Sequence, residues 1–156
     1  MNATVVSPPA ELEQSPSQRW MDRLSEEGYR PRLELNDLNP SMCRLAFMLE
    51  GTLHRLYLDD TDPAFFKLSL SYLLGDDANT SSLALLQAAN EVNSSTKGTK
   101  VTVNLEEQAA YFVIEAFGKE LPTTETLARM LSHCSFAARR FFTRLRETPA
   151  PALLMS

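Results

Sequence analysis

The chain has 156 residues, a formal net charge of −5 at pH 7, and hydrophobic and charged fractions of 44% and 22%. This length and composition are typical of one ordinary globular domain. The acidic balance argues against a general nucleic-acid or anionic-membrane surface, so we predict neither nucleic acid nor membrane as a partner.

The N-terminal part of the chain predicts a flexible arm followed by a helix. Residues 1–14 are rich in proline and polar residues and show little periodicity, so we expect them to form a flexible arm. They also lack the basic and apolar regions of a secretory signal. Ser15-Pro16 has the residue types of a helix start, and Gly28 those of a helix stop.

Three or four strands are predicted next. Residues 32–38 alternate weakly between apolar and polar, and residues 42–49 alternate clearly. Glu50-Gly51 predicts a tight turn into a hairpin partner at residues 53–58. The cleanest alternation follows at residues 66–72, which indicates a half-buried strand.

The second half of the chain predicts helix, two strands and helix. An alanine-rich segment predicts a helix that is capped by Thr80, Ser81 or Ser82 and ends at Gly98. Its predicted buried residues are apolar ones at helical spacing: Leu85, Leu86, Ala89, Val92 and Leu83. Strands at 101–105 and 112–116 precede a final helix that opens at 122–125, and a Pro/Ala-rich tail occupies residues 148–156.

The order α-βββ(β)-α-ββ-α predicts an α+β fold. Adjacent strands with short loops form an antiparallel sheet, and such a sheet needs helices across one face. We therefore expect a two-layer sandwich with about five strands, in a single domain at residues 15–147.

Metal and catalytic sites are not predicted. Asp59, Asp60 and Asp62 lack the spacing of a calcium loop and suit a solvated turn. His54 and His133 have no zinc-ligand spacing around them. We predict no metal, no cofactor and no catalytic residue.

Two further patterns also favour structural roles. Residues 97–100, KGTK, lack a phosphate-loop pattern and follow a helix, so a helix end explains them. Cys43 and Cys134 suit the reducing conditions of a cytoplasmic protein, although a disulfide between them stays open. A catalytic pair of Cys134 with His54 across the fold also stays open, with structural roles favoured.

Two surfaces are predicted to make contacts. On the sheet face opposite the core, strand alternation places a partly apolar group that we expect a partner, a second copy or a terminal segment to cover: Met42, Met48, Tyr111 and Val113. The final helix carries a basic cluster that suits either a helix C-terminus or an acidic partner: Arg139, Arg140, Arg144 and Arg146.

The order of elements resembles the YbjN-like family of bacterial proteins, whose domains share the fold of type III secretion chaperones. The likeness spans roughly residues 15–146. The residues that carry it are Glu27-Gly28-Tyr29, Glu50-Gly51, Asp62-Pro63 with Phe65-Phe66, Ala89-Asn90 with Val92-Asn93, and Lys97 with Lys100-Val101.

The resemblance implies a small, cytoplasmic, non-enzymatic protein that is often a homodimer. In secretion chaperones, partner segments wrap around a dimer, whereas a role in sensing or regulation has been proposed for YbjN-like proteins. We therefore predict a protein-interaction module that binds an extended or apolar partner segment. The alternative is a bacterial signalling regulator that contacts an acidic partner through its arginine-rich helix.

Overall fold

The computed structural model describes residues 14–75 and 80–147. Its elements, in chain order, are α1 (Pro16–Glu26), β1 (Arg32–Leu35), β2 (Met42–Leu49), β3 (Thr52–Asp59), β4 (Phe65–Leu73), α2 (Ser82–Ser95), β5 (Lys100–Asn104), β6 (Ala109–Phe117) and α3 (Thr124–Glu147). The order α-ββββ-α-ββ-α confirms the predicted fold class. The predicted tail, and the predicted arm apart from residue 14, lie outside the described residues.

The sheet has six antiparallel strands in the order β1-β2-β3-β4-β6-β5. This is one strand more than the predicted number of about five, because the weakly alternating segment at 32–38 supplies β1. In this order β1 and β5 form the two edges of the sheet. The β2–β3 hairpin turns at Glu50 and Gly51, whose φ angles of 50° and 77° fit a two-residue type I′ turn.

The helices lie on one face of the sheet and enclose a single core. The buried cluster draws on all three helices and on β2 to β6, and β1 contributes no residue to it. The predicted burial of Leu83 and Leu86 is wrong, because these side chains are 64% and 48% exposed. Ala88 is buried instead, since the small residues of α2 face the sheet and α3.

The helix boundaries follow the predicted chemistry, with one difference. The Ser15 hydroxyl accepts the Gln18 N–H, and Gly28 has φ of +88° directly after the first helix, as expected of a helix stop. Helix α2 begins after Ser81 but ends at Ser95, so Gly98 lies in the following loop rather than at the helix terminus. In the part of the chain that the structure describes, no helix is long and apolar enough to span a membrane.

Candidate functional site

The β1 edge of the sheet exposes apolar side chains. Leu33 pairs with Leu45 and Leu35 with Cys43, which places both leucines on the helix side of the sheet. Helix α1 packs over β2 and β3, however, and leaves them 43% and 71% exposed. An edge strand with exposed apolar side chains is a template for pairing with another chain.

The phase of the β2–β3 ladder shows which backbone groups of β2 face β1. In an antiparallel pair, hydrogen-bonded and non-bonded residue pairs alternate, and a two-residue hairpin closes on a bonded pair. Leu49 and Thr52 are that closing pair. The Asp60 N–H donates to the Ser41 carbonyl at 2.8 Å, which fits the same phase. The odd-numbered residues of β2 therefore bond β3, and the even-numbered residues face β1.

The same alternation shows which N–H and C=O groups of β1 point away from the sheet. Ala46 and Arg44 of β2 pair with Arg32 and Glu34, so these two residues carry the hydrogen bonds between β1 and β2. The N–H and C=O groups of Leu33 and Leu35 then point away from the sheet. Among the described residues, none donates to or accepts from these outward groups. The open backbone and the exposed leucines thus coincide on one short strand.

The β5 edge is partly closed by a side chain of helix α2. The Asn93 side chain accepts the Val101 N–H at 2.6 Å and donates to the Val101 carbonyl at 3.0 Å. It therefore bonds Val101, the second of the five residues of β5, as a neighbouring strand would. Val101 is only 3% exposed, since α2 packs against β5. An additional strand would find the backbone groups of Val101 already bonded, whereas those of Val103, which also face outward, have no partner among the described residues.

The outer face beside β1 is a charged cluster. Glu34 Oε2 lies 2.6 Å from Arg44 Nε, and Glu34 Oε1 lies 3.4 Å from an Arg32 guanidinium nitrogen. Arg55 Nε is 3.5 Å from the same carboxylate, close enough for an ion pair but outside hydrogen-bond geometry. Desolvation raises the pKa of Glu34, but the bond and charge of Arg44, with the other arginines, outweigh it and lower the pKa. The carboxylate is therefore held ionised among three cations.

The predicted apolar contact residues lie on this outer face but do not form one patch. Met48 is exposed on β2, and Met42, Tyr111 and Val113 are half-buried on β2 and β6. Strands β3 and β4 separate the two groups and carry charged side chains, including a Lys67 ammonium over the Tyr57 ring. Their role in contacts stays a prediction.

The predicted basic cluster lies along the last turns of α3. Arg144 binds Glu91 of α2 at 2.5 Å and lies 3.9 Å from Glu147. The Arg140 guanidinium stands 5.7 Å above the ring of Phe136, which is exposed. Arg146 donates to the Thr143 hydroxyl, and Arg139 is exposed. The structure thus engages Arg144 with acidic groups of the chain itself, and contact with an acidic partner stays a prediction.

The buried ionisable groups do not assemble into a reactive site. The His54 ring stacks on Phe47, and its Nδ1 lies 3.1 Å from the Thr52 carbonyl. Among the described residues, its Nε2 has no hydrogen-bond partner, so the structure does not pair His54 with Cys134. Both cysteines are free and buried, and burial raises the pKa of Cys134 to about 12. Residues 14–75 and 80–147 contain no group of three metal-ligating side chains.

Sequence reasoning missed the contrast between the two edges. The alternation of Leu33 and Leu35 was visible, but only the strand order shows that they lie at an edge beyond α1. The sequence also predicts that Asn93 lies on a helix, but it does not predict what the side chain bonds. Its bond to Val101 depends on how α2 crosses β5, a tertiary contact that no local pattern encodes.

Comparisons with known proteins show a shared fold. No protein-family model matches the chain, and no curated protein matches it in sequence. An uncharacterized protein from Methanothermobacter thermautotrophicus superposes with a TM-score of 0.63 at 12% identity, covering 85% of this chain and 97% of the other.

Two further solved structures match at similarly low identity. A chain of the HopA1–SchA chaperone–effector complex superposes with a TM-score of 0.54 at 15% identity, covering 85% of this chain and 98% of the other. YbjN from E. coli gives a TM-score of 0.48 at 13% identity, with coverages of 83% and 87%. At these identities the likeness concerns the fold alone.

Proposed function

We propose that this protein is a non-enzymatic interaction module whose β1 edge takes up an extended segment of a protein partner. The observation that carries the proposal is the contrast between the two edges of the sheet. Asn93 bonds the Val101 backbone at the β5 edge, whereas the outward backbone groups of Leu33 and Leu35 at β1 have no partner among the described residues.

A partner strand would bind this edge by β-augmentation. The outward N–H and C=O groups of Leu33 and Leu35 would continue the ladder, which supplies affinity without regard to sequence. Side chains of the partner on the helix side would pack on the two leucines. Leu38, which is 97% exposed just beyond β1, lengthens this apolar strip. The expected partner is an extended segment with apolar residues at alternate positions.

The shared fold is compatible with a chaperone-like role. One structural neighbour belongs to a chaperone–effector complex, which is an assembly of two proteins. Because a fold hosts many functions, the neighbour supports the proposal only together with the open edge. We also propose that the protein is cytoplasmic and forms a homodimer, as the family resemblance implies.

The test compares two exposed leucines on different strands. Leu35 is 71% exposed on β1 and Leu73 is 85% exposed at the end of β4, so lysine at either position should leave the fold intact. Tagged wild type, Leu35→Lys and Leu73→Lys would be used to capture partners from lysate of the native host at low and high salt. We expect one protein to be retained at high salt by wild type and Leu73→Lys and to be lost from Leu35→Lys.

A second measurement ties any captured protein to the edge. Hydrogen exchange of the complex should show slower exchange at the Leu33 and Leu35 amides, because these N–H groups would enter a new ladder. Equal capture by Leu35→Lys and Leu73→Lys, or unchanged exchange at both amides, would refute the β1 assignment.

A second candidate function is regulatory contact with an acidic protein through α3. Arg140 stacks on the exposed Phe136 ring, and Arg139 lies exposed beside it, so this stretch of helix presents charge next to an apolar ring. Binding here should weaken steeply with salt, because exposed charges are screened over about 8 Å at physiological ionic strength. Capture that disappears at high salt and in Arg139→Glu/Arg140→Glu, but survives in Leu35→Lys, would favour this function.

A further inference from the structure

The side chains of β1 carry opposite charges two residues apart on one face. Arg32 and Glu34 lie on the outer face, and Leu33 lies between them on the helix face. We propose that a second copy of the chain pairs antiparallel with β1 along its open edge, with Leu33 opposite Leu33 of the second copy. The proposal concerns the same edge as the proposed function and supplies a way to regulate it.

The geometry of the sheet limits the registers that are available. Residues opposite each other in a ladder point to the same face of the sheet. A twofold axis between two antiparallel β1 strands must therefore lie midway between the two copies of one residue, so that this residue pairs with itself. An axis at Leu33 places Arg32 opposite Glu34 of the second copy, and this attractive pair occurs twice. An axis at Glu34 would instead place two carboxylates opposite each other. An axis at Arg32 would oppose two guanidinium groups, and an axis at Leu35 would place Glu34 opposite the uncharged Asn36, so charge complementarity selects Leu33 as the centre.

The backbone suits this register. The outward N–H and C=O of Leu33 would exchange two hydrogen bonds with Leu33 of the second copy. The Leu35 N–H would donate to the carbonyl of Pro31 of the second copy, and the symmetric bond brings the total to four. Pro31 has no N–H to donate, but at the end of the ladder only its carbonyl is required.

The space above β1 also allows a second copy. Because α1 packs over β2 and β3, the described residues leave the helix side of β1 largely uncovered, and Leu33 and Leu35 extend into that space. The leucines of the two copies would meet there, between the two α1 helices. The two six-stranded sheets would then join into one continuous sheet.

This pairing has a functional consequence that rests on the proposed function. If a partner segment uses the same outward groups of Leu33 and Leu35, one edge cannot hold both a partner and a second copy. The self-paired form would therefore protect the edge, and partner binding would require that it separate.

Cysteine cross-linking tests the register directly. In Leu33→Cys the new thiol would face its own counterpart at a Cα separation of about 5.5 Å, which lies within the range for a disulfide. In the matched variant Leu35→Cys, the thiol would face Pro31 of the second copy. Both variants also carry Cys43→Ser, because Cys43 lies directly opposite position 35 on β2 and would otherwise form an intrachain disulfide there. We expect mild oxidation of the full chain to yield disulfide-linked dimers of Leu33→Cys at least about ten times faster than of Leu35→Cys. Cys43→Ser is the background control, because its remaining cysteine, Cys134, is buried.

Charge exchange tests the same register without cross-linking. Arg32→Glu should weaken self-association at least about tenfold in Kd, since both symmetric attractions become repulsions. Glu34→Arg should do the same. Mixing the two variants should restore association, because opposite charges then face each other at both pairs. Analytical ultracentrifugation of each variant and of the mixture measures this directly.

One variant needs a substitute in case it does not fold. Glu34→Arg adds a cation beside Arg44 and Arg55, so circular dichroism must first show the wild-type spectrum. If it does not, Arg32→Glu/Leu33→Cys replaces it, and this double variant should cross-link at least about ten times more slowly than Leu33→Cys.

The outcomes separate this proposal from the proposed function. Equal cross-linking at positions 33 and 35, no cross-linking at 33, or a mixture that stays monomeric overturns the self-pairing. If Leu35→Lys still abolishes partner capture in that case, the proposed function stands alone. If the cross-linked Leu33→Cys dimer captures as much partner as the same variant does after reduction, self-pairing is right, whereas mutual exclusion and the β1 partner site are wrong. A cross-linked dimer that captures less partner than its own reduced form supports both.

Discussion

The two edges of the sheet differ in how their backbone groups are satisfied. At β5 the amide of Asn93 bonds both backbone groups of Val101, and α2 buries that residue. At β1 the corresponding groups of Leu33 and Leu35 face outward. An edge residue whose backbone groups are already bonded is a poorer template for strand addition than one whose groups are open. We therefore expect a partner strand to add at β1 rather than at β5.

The two ends of the core also differ in how extensively they are packed, and β1 again lies at the less extensively packed end. Near β5 and β6, Phe112 contacts Phe141 with ring centroids 5.6 Å apart, and Tyr72 contacts Phe142 at 5.2 Å. Aromatic pairs of this kind contribute beyond the area that they bury. β1 contributes no side chain to the core. We therefore expect β1 to separate from the sheet at lower free energy than β5 does.

Truncating one apolar residue on each edge gives the largest expected contrast. Val101→Ala should lower the free energy of unfolding by about 2 kcal/mol, because it removes buried methyl groups and leaves a cavity. Leu35→Ala should change it by less than about 0.5 kcal/mol, since the side chain is mostly exposed. Urea unfolding followed by circular dichroism measures both values. A loss of similar size in the two variants would show that β1 is as firmly packed as β5.

Removing the side chain that closes the β5 edge should have the next largest effect. Asn93→Ala should lower the free energy of unfolding by about 1–2 kcal/mol relative to Asn90→Ala, because only Asn93 bonds Val101. Both changes replace an exposed asparagine of α2 with alanine, so their gain in helix propensity cancels.

The same variant should also open the second edge. With the Val101 backbone free, we expect Asn93→Ala to self-associate more strongly than Asn90→Ala in sedimentation experiments. Identical stability and identical mass in the two variants would show that Asn93 does not prevent strand addition at the β5 edge.

The sequence predicted the layers of this fold well because they depend on local periodicity. Alternation at residues 42–49 and 66–72, together with the caps at Ser15 and Gly28, identifies elements that the structure contains. Period-2 and period-3.6 patterns report which face of an element is buried, and that is enough to distinguish sheet from helix.

The candidate site could not be predicted in the same way. The alternation of Leu33 and Leu35 indicates a strand with one apolar face, and a central strand would bury that face. The pattern does not say that β1 is outermost or that α1 stops short of it. The exposed leucines and the Asn93 bond both arise from tertiary placement, so they became visible only in the assembled fold.

The alkylation rates of the two cysteines provide a further test of whether the two ends of the core differ in stability. Cys43 pairs with Leu35 of β1, whereas Cys134 lies in the middle of α3, and both are buried. Alkylation requires an opening that exposes the thiol, so its rate reports local stability. We expect native Cys43 to react at least about ten times faster than Cys134, a difference of about 1.4 kcal/mol. Cys43→Ser and Cys134→Ser assign the two rates, and equal rates would indicate that the core opens as one unit.

The smallest expected effect concerns His54, which lies in the core two strands from the β1 edge. Desolvation lowers its pKa below the ordinary 6.5, although the bond to the Thr52 carbonyl and the charge of Glu50 act in the opposite direction. As the pH falls below about 6.5, the unfolded chain takes up a proton at His54 before the folded chain does. The free energy of unfolding should therefore decrease towards pH 5 and be insensitive to His54 above pH 7.

Two features isolate this contribution of His54. The carboxyl groups with lowered pKa, Glu27, Glu34 and Asp59, destabilise the fold only nearer and below their ordinary values of 4.5 and 3.8. Urea unfolding between pH 5 and 7.5 should thus show the decrease in wild type and a flatter profile in His54→Phe. The same series on His133→Gln is the control, because it removes the other histidine of the chain. If His54→Phe keeps the full decrease, the buried imidazole does not set the acid sensitivity of this end of the core.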